Sequence, residues 1–228
     1  MATRTNSGNE SQTERRIDWT DLKYAVFVGV VFVAVKLAGV MAPAWEVRRI
    51  TIDDVASVLT LGYIVARARR QPERLDDWGI TTRLTLSGVL TGAALLLLAV
   101  AIPAALGVAV AGRLSFRPSY VSEMIEYIPS AFPQQFFLCS VVLATLATLR
   151  PFRGLWQLPL AVGLLFSLAH FWTPARIPGT IVPIQLVLTF PAGFFAAFYF
   201  LKFRTILPLT AIHAICYPLL HNWVESHL

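Results

Sequence analysis

Residues 158–172, LPLAVGLLFSLAHFW, and residues 206–223, ILPLTAIHAICYPLLHNW, are apolar runs that each carry an imidazole, at His170 and His213. Runs of this length and composition read as helices in a bilayer. An ionisable side chain inside such a run costs several kcal/mol unless it faces a protein interior, so by default it marks a functional site. Each histidine also has an aromatic partner one helical turn away, Phe166 before His170 and Tyr217 after His213. These two runs set the fold class, membrane helices, and the place to look for chemistry.

The rest of the chain agrees with them. Of 228 residues, 56% are hydrophobic and 14% charged, with a mean hydropathy of +0.64. A water-soluble domain has about a quarter of its residues charged. The expectation is an all-α integral membrane protein: a bundle of about seven transmembrane helices (six to eight) with one interfacial helix. Residues 23–228 form one polytopic domain, and residues 1–22, MATRTNSGNESQTERRIDWTDL, a disordered tail. The net charge of +6 does not indicate nucleic acid, because the basic residues fall in short loops between apolar runs, which is how topology is encoded. The partner implied is the lipid bilayer. Cys139 and Cys216 lie in apolar runs without CxxC spacing and read as small buried hydrophobes.

The first span is read at residues 25–40. Arg15 and Arg16 before it and Ala42-Pro43-Ala44 after it resemble a signal peptide, but its length and the spans that follow argue for a retained helix. The second stretch, 55–66, is short for a crossing and is read as either a span or a re-entrant segment. After the charged loop RARRQPERLDDWGITTR comes a third span at 84–110, kinked at Pro103. Residues 111–133 are amphipathic, with Val121, Met124, Ile125 and Ile128 at helical spacing, and read as an interfacial helix capped by Ser119 or Ser122. Four further spans follow at 134–149, 155–172, 181–201 and 206–224, with Trp156, Trp172 and Trp223 as interfacial anchors. His221 and His227 fall at or beyond the end of the last span.

In this seven-span reading the tail residues Arg4, Arg15, Arg16 and Lys23 share a side with Arg67, Arg69, Arg70, Arg74, Arg83, Arg150, Arg153, Lys202 and Arg204. The opposite side carries Arg48, Arg49, Arg113, Arg117 and Arg176, with Lys36 inside the first span. The asymmetry puts the N-terminus in the cytoplasm of an inner-membrane-type, multi-pass protein. Gln134 and Gln135 then open the fourth span at the same face at which His170 closes the fifth. Counted from Ile206 at 1.5 Å per residue, His213 lies about 10 Å into its helix, which makes its meeting with His170 depend on helix tilt.

The order of these elements resembles the CPBP family, the CAAX-protease and bacteriocin-processing membrane proteins. FSLAH, Phe166 to His170, is similar to the family's FxxxH motif. TFPAGFFAAFYFLKFRTILPLTAIHA is similar to its small-residue helix, basic turn and histidine helix, and DDWGIT to its connector; the resemblance covers residues 75–222. It implies an intramembrane endopeptidase fold acting on a membrane-associated peptide or prenylated protein, with His170, His213 and the residues at Gln134 and Gln135 forming the site. The family's first motif is EExxxR, and its glutamate and histidines activate a water. Here the aligned residues are Gln134-Gln135-Phe136-Phe137-Leu138-Cys139, and Tyr217 stands in place of the asparagine of HxxxN, as a candidate oxyanion donor.

A glutamine amide is no general base, and losing the base removes on the order of 10²–10⁴ in rate. Glu123 and Glu126 in the interfacial helix, and Asp53 and Asp54 before the second stretch, are the alternative carboxylates on that face. No cofactor is read from the sequence; a divalent metal such as zinc stays open, with His170 and His213 as its ligands if one binds. Two alternatives to an endopeptidase remain: a non-catalytic peptide-binding or immunity-type pseudoenzyme, and a small transporter or channel subunit. The prolines Pro103, Pro191 and Pro218 show no symmetry between two halves, which counts against the transporter.

Overall fold

The computed structural model describes residues 18–41, 49–81, 83–149, 156–170 and 176–228, with the side chains of 32, 35–41 and 49–56 outside that description. Its elements are α1 (Trp19–Met41), α2 (Arg49–Arg70), one-turn α3 (Arg74–Asp77), α4 (Leu86–Ala111), α5 (Ser119–Gln135), a π-helical segment (Phe136–Leu143), α6 (Ala144–Leu146), α7 (Gln157–Leu168), α8 (Ile184–Phe203), α9 (Leu207–Trp223) and a closing 3-10 turn (Glu225–His227). Among the described residues no strand forms, only a bridge between Arg176 and Pro183. Three helices there are long and apolar enough to cross a bilayer: α4, the continuous rod Ser119–Leu146, and α8. The chain is thus an all-helical protein of membrane type.

Several elements differ from the sequence reading, each for a local reason. The expected break between an interfacial helix and a fourth span is absent. α5, the π segment and α6 run on as one rod of 28 residues, although Pro129 and Pro133 lie inside α5. Each proline deprives the helix of one N–H, and after them the bonding widens to i→i+5 over Phe136–Leu143 without ending the rod. Neither serine caps α5: Pro118 holds that place, and Ser122 Oγ donates back to the Ser119 carbonyl at 2.8 Å. Val121, Ile125 and Ile128 are exposed to the surroundings of the rod. α2 extends well beyond the apolar stretch 55–66, and α7 stops at Leu168, so that His170 sits in the turn beyond its end. The first helix starts at Trp19, inside the expected tail; residues 1–17 of that tail, Trp172, and the side chains of Lys36, Asp53 and Asp54 lie outside the described residues.

The helices are joined at one end through the DDWGIT connector. Asp18 accepts from the backbone amides of Thr20 (2.9 Å) and Asp21 (3.3 Å) and so caps α1. Its carboxylate also pairs with Arg67 at 2.9 Å and with Arg74. Asp21, itself buried, accepts from the Trp78 indole N–H at 3.0 Å and from the Tyr63 hydroxyl. Trp78 is 2% exposed and packs edge-on to Phe136 with centroids 5.2 Å apart. Its carbonyl accepts from Ser140 Oγ in the π segment. The next residue, Gly79, has φ +69 and no space for a Cβ, which would lie 2.6 Å from the Phe200 ring. The Gly79 carbonyl accepts from the Ile206 amide at 3.0 Å, directly before α9.

At the other contact that matters for the site, α7 crosses α8 at two glycines. A Cβ on Gly193 would lie 2.7 Å from Phe166 Cβ, and one on Gly163 2.8 Å from the Phe190 carbonyl oxygen. The close crossing holds Phe166, and with it His170, against the bundle.

Two outcomes follow from this packing. Gly193→Ala forces α7 from α8 and costs about 1–3 kcal/mol in reversible unfolding from detergent micelles. Gly29→Ala, whose Cβ meets nothing within 4 Å, is the control and is neutral or slightly stabilising. Burial opposes ionisation of Asp18, but the Asp21 and Thr20 amides and the Arg74 and Arg67 cations outweigh it and hold the carboxyl below its usual value. A depressed carboxyl stabilises the fold above its unfolded pKa of about 4 and loses that contribution as pH falls through the folded value. Asp18→Asn keeps the cap and removes the charge. It is therefore less stable than the wild type near neutral pH, and the two unfolding curves converge in acid.

Candidate functional site

The polar residues of the site come from the pairing of α5 with α9, which run antiparallel. Three cross-helix contacts give the register. Gln135 Nε2 meets His213 Nδ1 at 3.0 Å. One step along, the Tyr127 and Tyr217 rings stack with centroids 4.4 Å apart and planes 15° off parallel. Farther on, Asn222 Nδ2 donates to Glu123 Oε2 at 2.7 Å. Gln135 lies in the middle of the rod Ser119–Leu146, not at the start of a span as the sequence suggested. That depth is what brings it level with His213.

His170 reaches the same place from α7. Its Nδ1 lies 2.7 Å from the Phe166 carbonyl oxygen, four residues back. The Phe166 ring is the shared wall: it sits edge-on to His170 with centroids 4.7 Å apart and to His213 at 5.9 Å. Tyr127 closes His213 from the other helix, edge-on at 5.7 Å, and its hydroxyl accepts from Gln134 Nε2 at 3.4 Å. His170, His213, Gln134, Gln135 and Tyr217 thus gather around Tyr127 and Phe166.

The two described candidate carboxylates, Glu123 and Glu126, are elsewhere. Glu126 is exposed, and Glu123 is engaged by Asn222. At 1.5 Å per residue they lie about 14 and 18 Å along α5 from Gln135, beyond the Tyr127–Tyr217 stack. Asn222, which also donates to the Pro218 carbonyl at 2.8 Å, stays with Glu123 and does not approach His213 in place of Tyr217. At the far end of α9, His221 Nδ1 lies 3.2 Å from Glu225 Oε2, and Gln185 donates to the other oxygen of that carboxylate. Trp223, expected as an interfacial anchor, is 3% exposed; its indole N–H donates to the Ser115 carbonyl at 2.7 Å.

The donor set also bears on a metal. Among the described residues no three His, Cys, Asp or Glu side chains gather in one group. A catalytic zinc takes three protein ligands and a structural one four. His170 and His213 are two, and the Gln135 amide already bonds to one ring nitrogen of His213. The described residues do not by themselves make a zinc site.

Sequence reasoning missed Tyr127. It lies seven and eight residues before Gln134 and Gln135, a helical spacing that places it on their face. The signal was hidden because the run 119–133 was read by its apolar positions. One outcome tests its role as a wall. Diethyl pyrocarbonate modifies His221, which is half exposed, in the intact protein and leaves His213 unmodified; Tyr127→Ala opens His213 to the reagent, as followed by peptide mass mapping. No protein-family model, curated protein or solved structure matches this chain, so the purpose of the site is argued from its own residues.

Proposed function

We propose that this chain is a multi-pass membrane protein of the CPBP type, with about seven spans and a cytoplasmic N-terminus. Its Gln135–His213–His170 site holds a membrane-associated peptide or prenylated protein without cutting it. One observation carries this reading: the group hydrogen-bonded to His213 is an amide, where a water-activating site needs a carboxylate. The convergence of the glutamine pair, the FSLAH segment and the histidine helix on Phe166 supports the family part of it. The docking of the connector against Ser140 and Ile206 supports it as well.

The chemistry on offer is that of a binding site. Imidazole, amide and phenol groups supply donors and acceptors without net charge, and Phe166, Tyr127 and Tyr217 supply apolar walls. A peptide segment inside a membrane has the matching needs, since each backbone N–H and C=O must find a partner there.

The test uses the full chain in lipid nanodiscs with a library of photo-crosslinkable membrane peptides. The wild type captures peptides and cuts none. His213→Ala or Gln135→Leu weakens capture by roughly fivefold, the worth of one hydrogen bond of about 1 kcal/mol between membrane helices. Cleavage by the wild type that disappears in His170→Ala overturns the reading and makes the chain an endopeptidase. Cleavage that appears only in Gln135→Glu supports it.

A further inference from the structure

The Gln135 amide decides the protonation pattern of His213. An amide nitrogen donates and does not accept, so Nδ1 of His213, 3.0 Å from Gln135 Nε2, is the acceptor, and the neutral ring carries its proton on Nε2. Turning the amide over would place Oε1 on Nδ1 instead and leave the buried amide nitrogen with neither N–H paired, where the observed orientation leaves one N–H and Oε1. In the observed orientation Gln135 is 4% exposed, and the atom without a partner is Oε1, an acceptor. A buried carbonyl oxygen left short of partners is better tolerated than a buried N–H. His170 is fixed the other way. Its Nδ1 faces a carbonyl oxygen, which only accepts, so the proton is on Nδ1 and the lone pair on Nε2.

We propose that Gln135 is a positioning residue that locks His213 in the Nε2–H tautomer, so that the imidazole of α9 beside Phe166 offers a donor. A carboxylate at position 135 would accept from Nδ1–H and leave both imidazoles with Nε2 lone pairs, the form that takes a proton from water or binds a metal. With the amide, His213 becomes a hydrogen-bond donor at Nε2. A neutral donor there suits an uncharged acceptor, such as the carbonyl oxygen of a backbone amide. This last step rests on the binding reading above; the tautomer of His213 does not.

The experiment is nitrogen-15 NMR of the full chain labelled at histidine, in nanodiscs, without ligand, in mildly alkaline buffer. Couplings from the ring protons distinguish bare from protonated nitrogens. His213 and His170 are assigned by the signals lost in His213→Gln and His170→Gln. The expected pattern is a bare Nδ1 and protonated Nε2 at His213, with the reverse at His170. Gln135→Glu moves the His213 proton to Nδ1 and leaves His170 unchanged. A wild-type His213 protonated on Nδ1, or a His213 pattern that survives Gln135→Glu, overturns the proposal. Should Gln135→Glu not fold, Gln135→Met replaces it: mixed His213 tautomers support the lock, and a persisting single Nε2–H form overturns it. No substrate enters the measurement, so a failure of peptide capture and a failure of the tautomer lock are read separately.

Discussion

The bonds of Trp78 and Gly79 set the height at which the site residues meet. Through this one dipeptide the connector takes the indole N–H bond to Asp21 of α1, the Ser140 hydroxyl of the π segment and the Ile206 amide at the head of α9. Ser140 is five residues past Gln135, and Ile206 is seven before His213. Both members of the central hydrogen bond are therefore suspended from the same anchor. Asp21 is the costly part of it. A buried carboxylate persists only when paired and hydrogen-bonded, and here Tyr63 and Trp78 both donate to it, with Arg67 at 3.9 Å.

From that anchor inward, the structure exchanges charge for neutral polar groups. Ion pairs stand at the capped end of α1, whereas the contacts between α5 and α9 around His213 are amide to imidazole and ring to ring. Where water is absent, an unpaired charge is expensive and a neutral hydrogen bond is inexpensive to form but costly to leave unmade. A site built this way positions and recognises well. Its weakness is in moving protons, because among the described residues the group bonded to His213 is an amide and Glu123 and Glu126 lie farther along α5.

The sequence was most legible where composition decides the outcome. The apolar runs foretold the helices, and the costly imidazoles His170 and His213 pointed to a place where the structure brings polar groups of three helices together. The pairing of the glutamines with the histidines was also readable from motif order. What stayed hidden depends on continuity and register. The sequence reading divided the helix between residues 133 and 134, yet the rod runs on through Pro129 and Pro133, so the depth of Gln135 was misjudged. Trp78 read as part of a charged loop; that it is buried depends on Asp21, 57 residues away, which no local pattern records. Trp223 read as a lipid anchor because indoles favour interfaces, whereas here α4 and the segment after it cover it.

The π segment has a consequence best put in terms of phase. In an α-helix, five residues advance the side chain by about 500°, which turns residue 140 about 140° away from residue 135. With i→i+5 bonding, residues five apart come nearly into line. That alignment lets Gln135 face α9 while Ser140 faces the connector, so both polar groups on an otherwise apolar rod point into protein. Rewinding Phe136–Leu143 to ordinary α geometry would keep one of these groups inside and turn the other toward lipid. The wide turns therefore store a rotational offset that fixes the site and its anchor together.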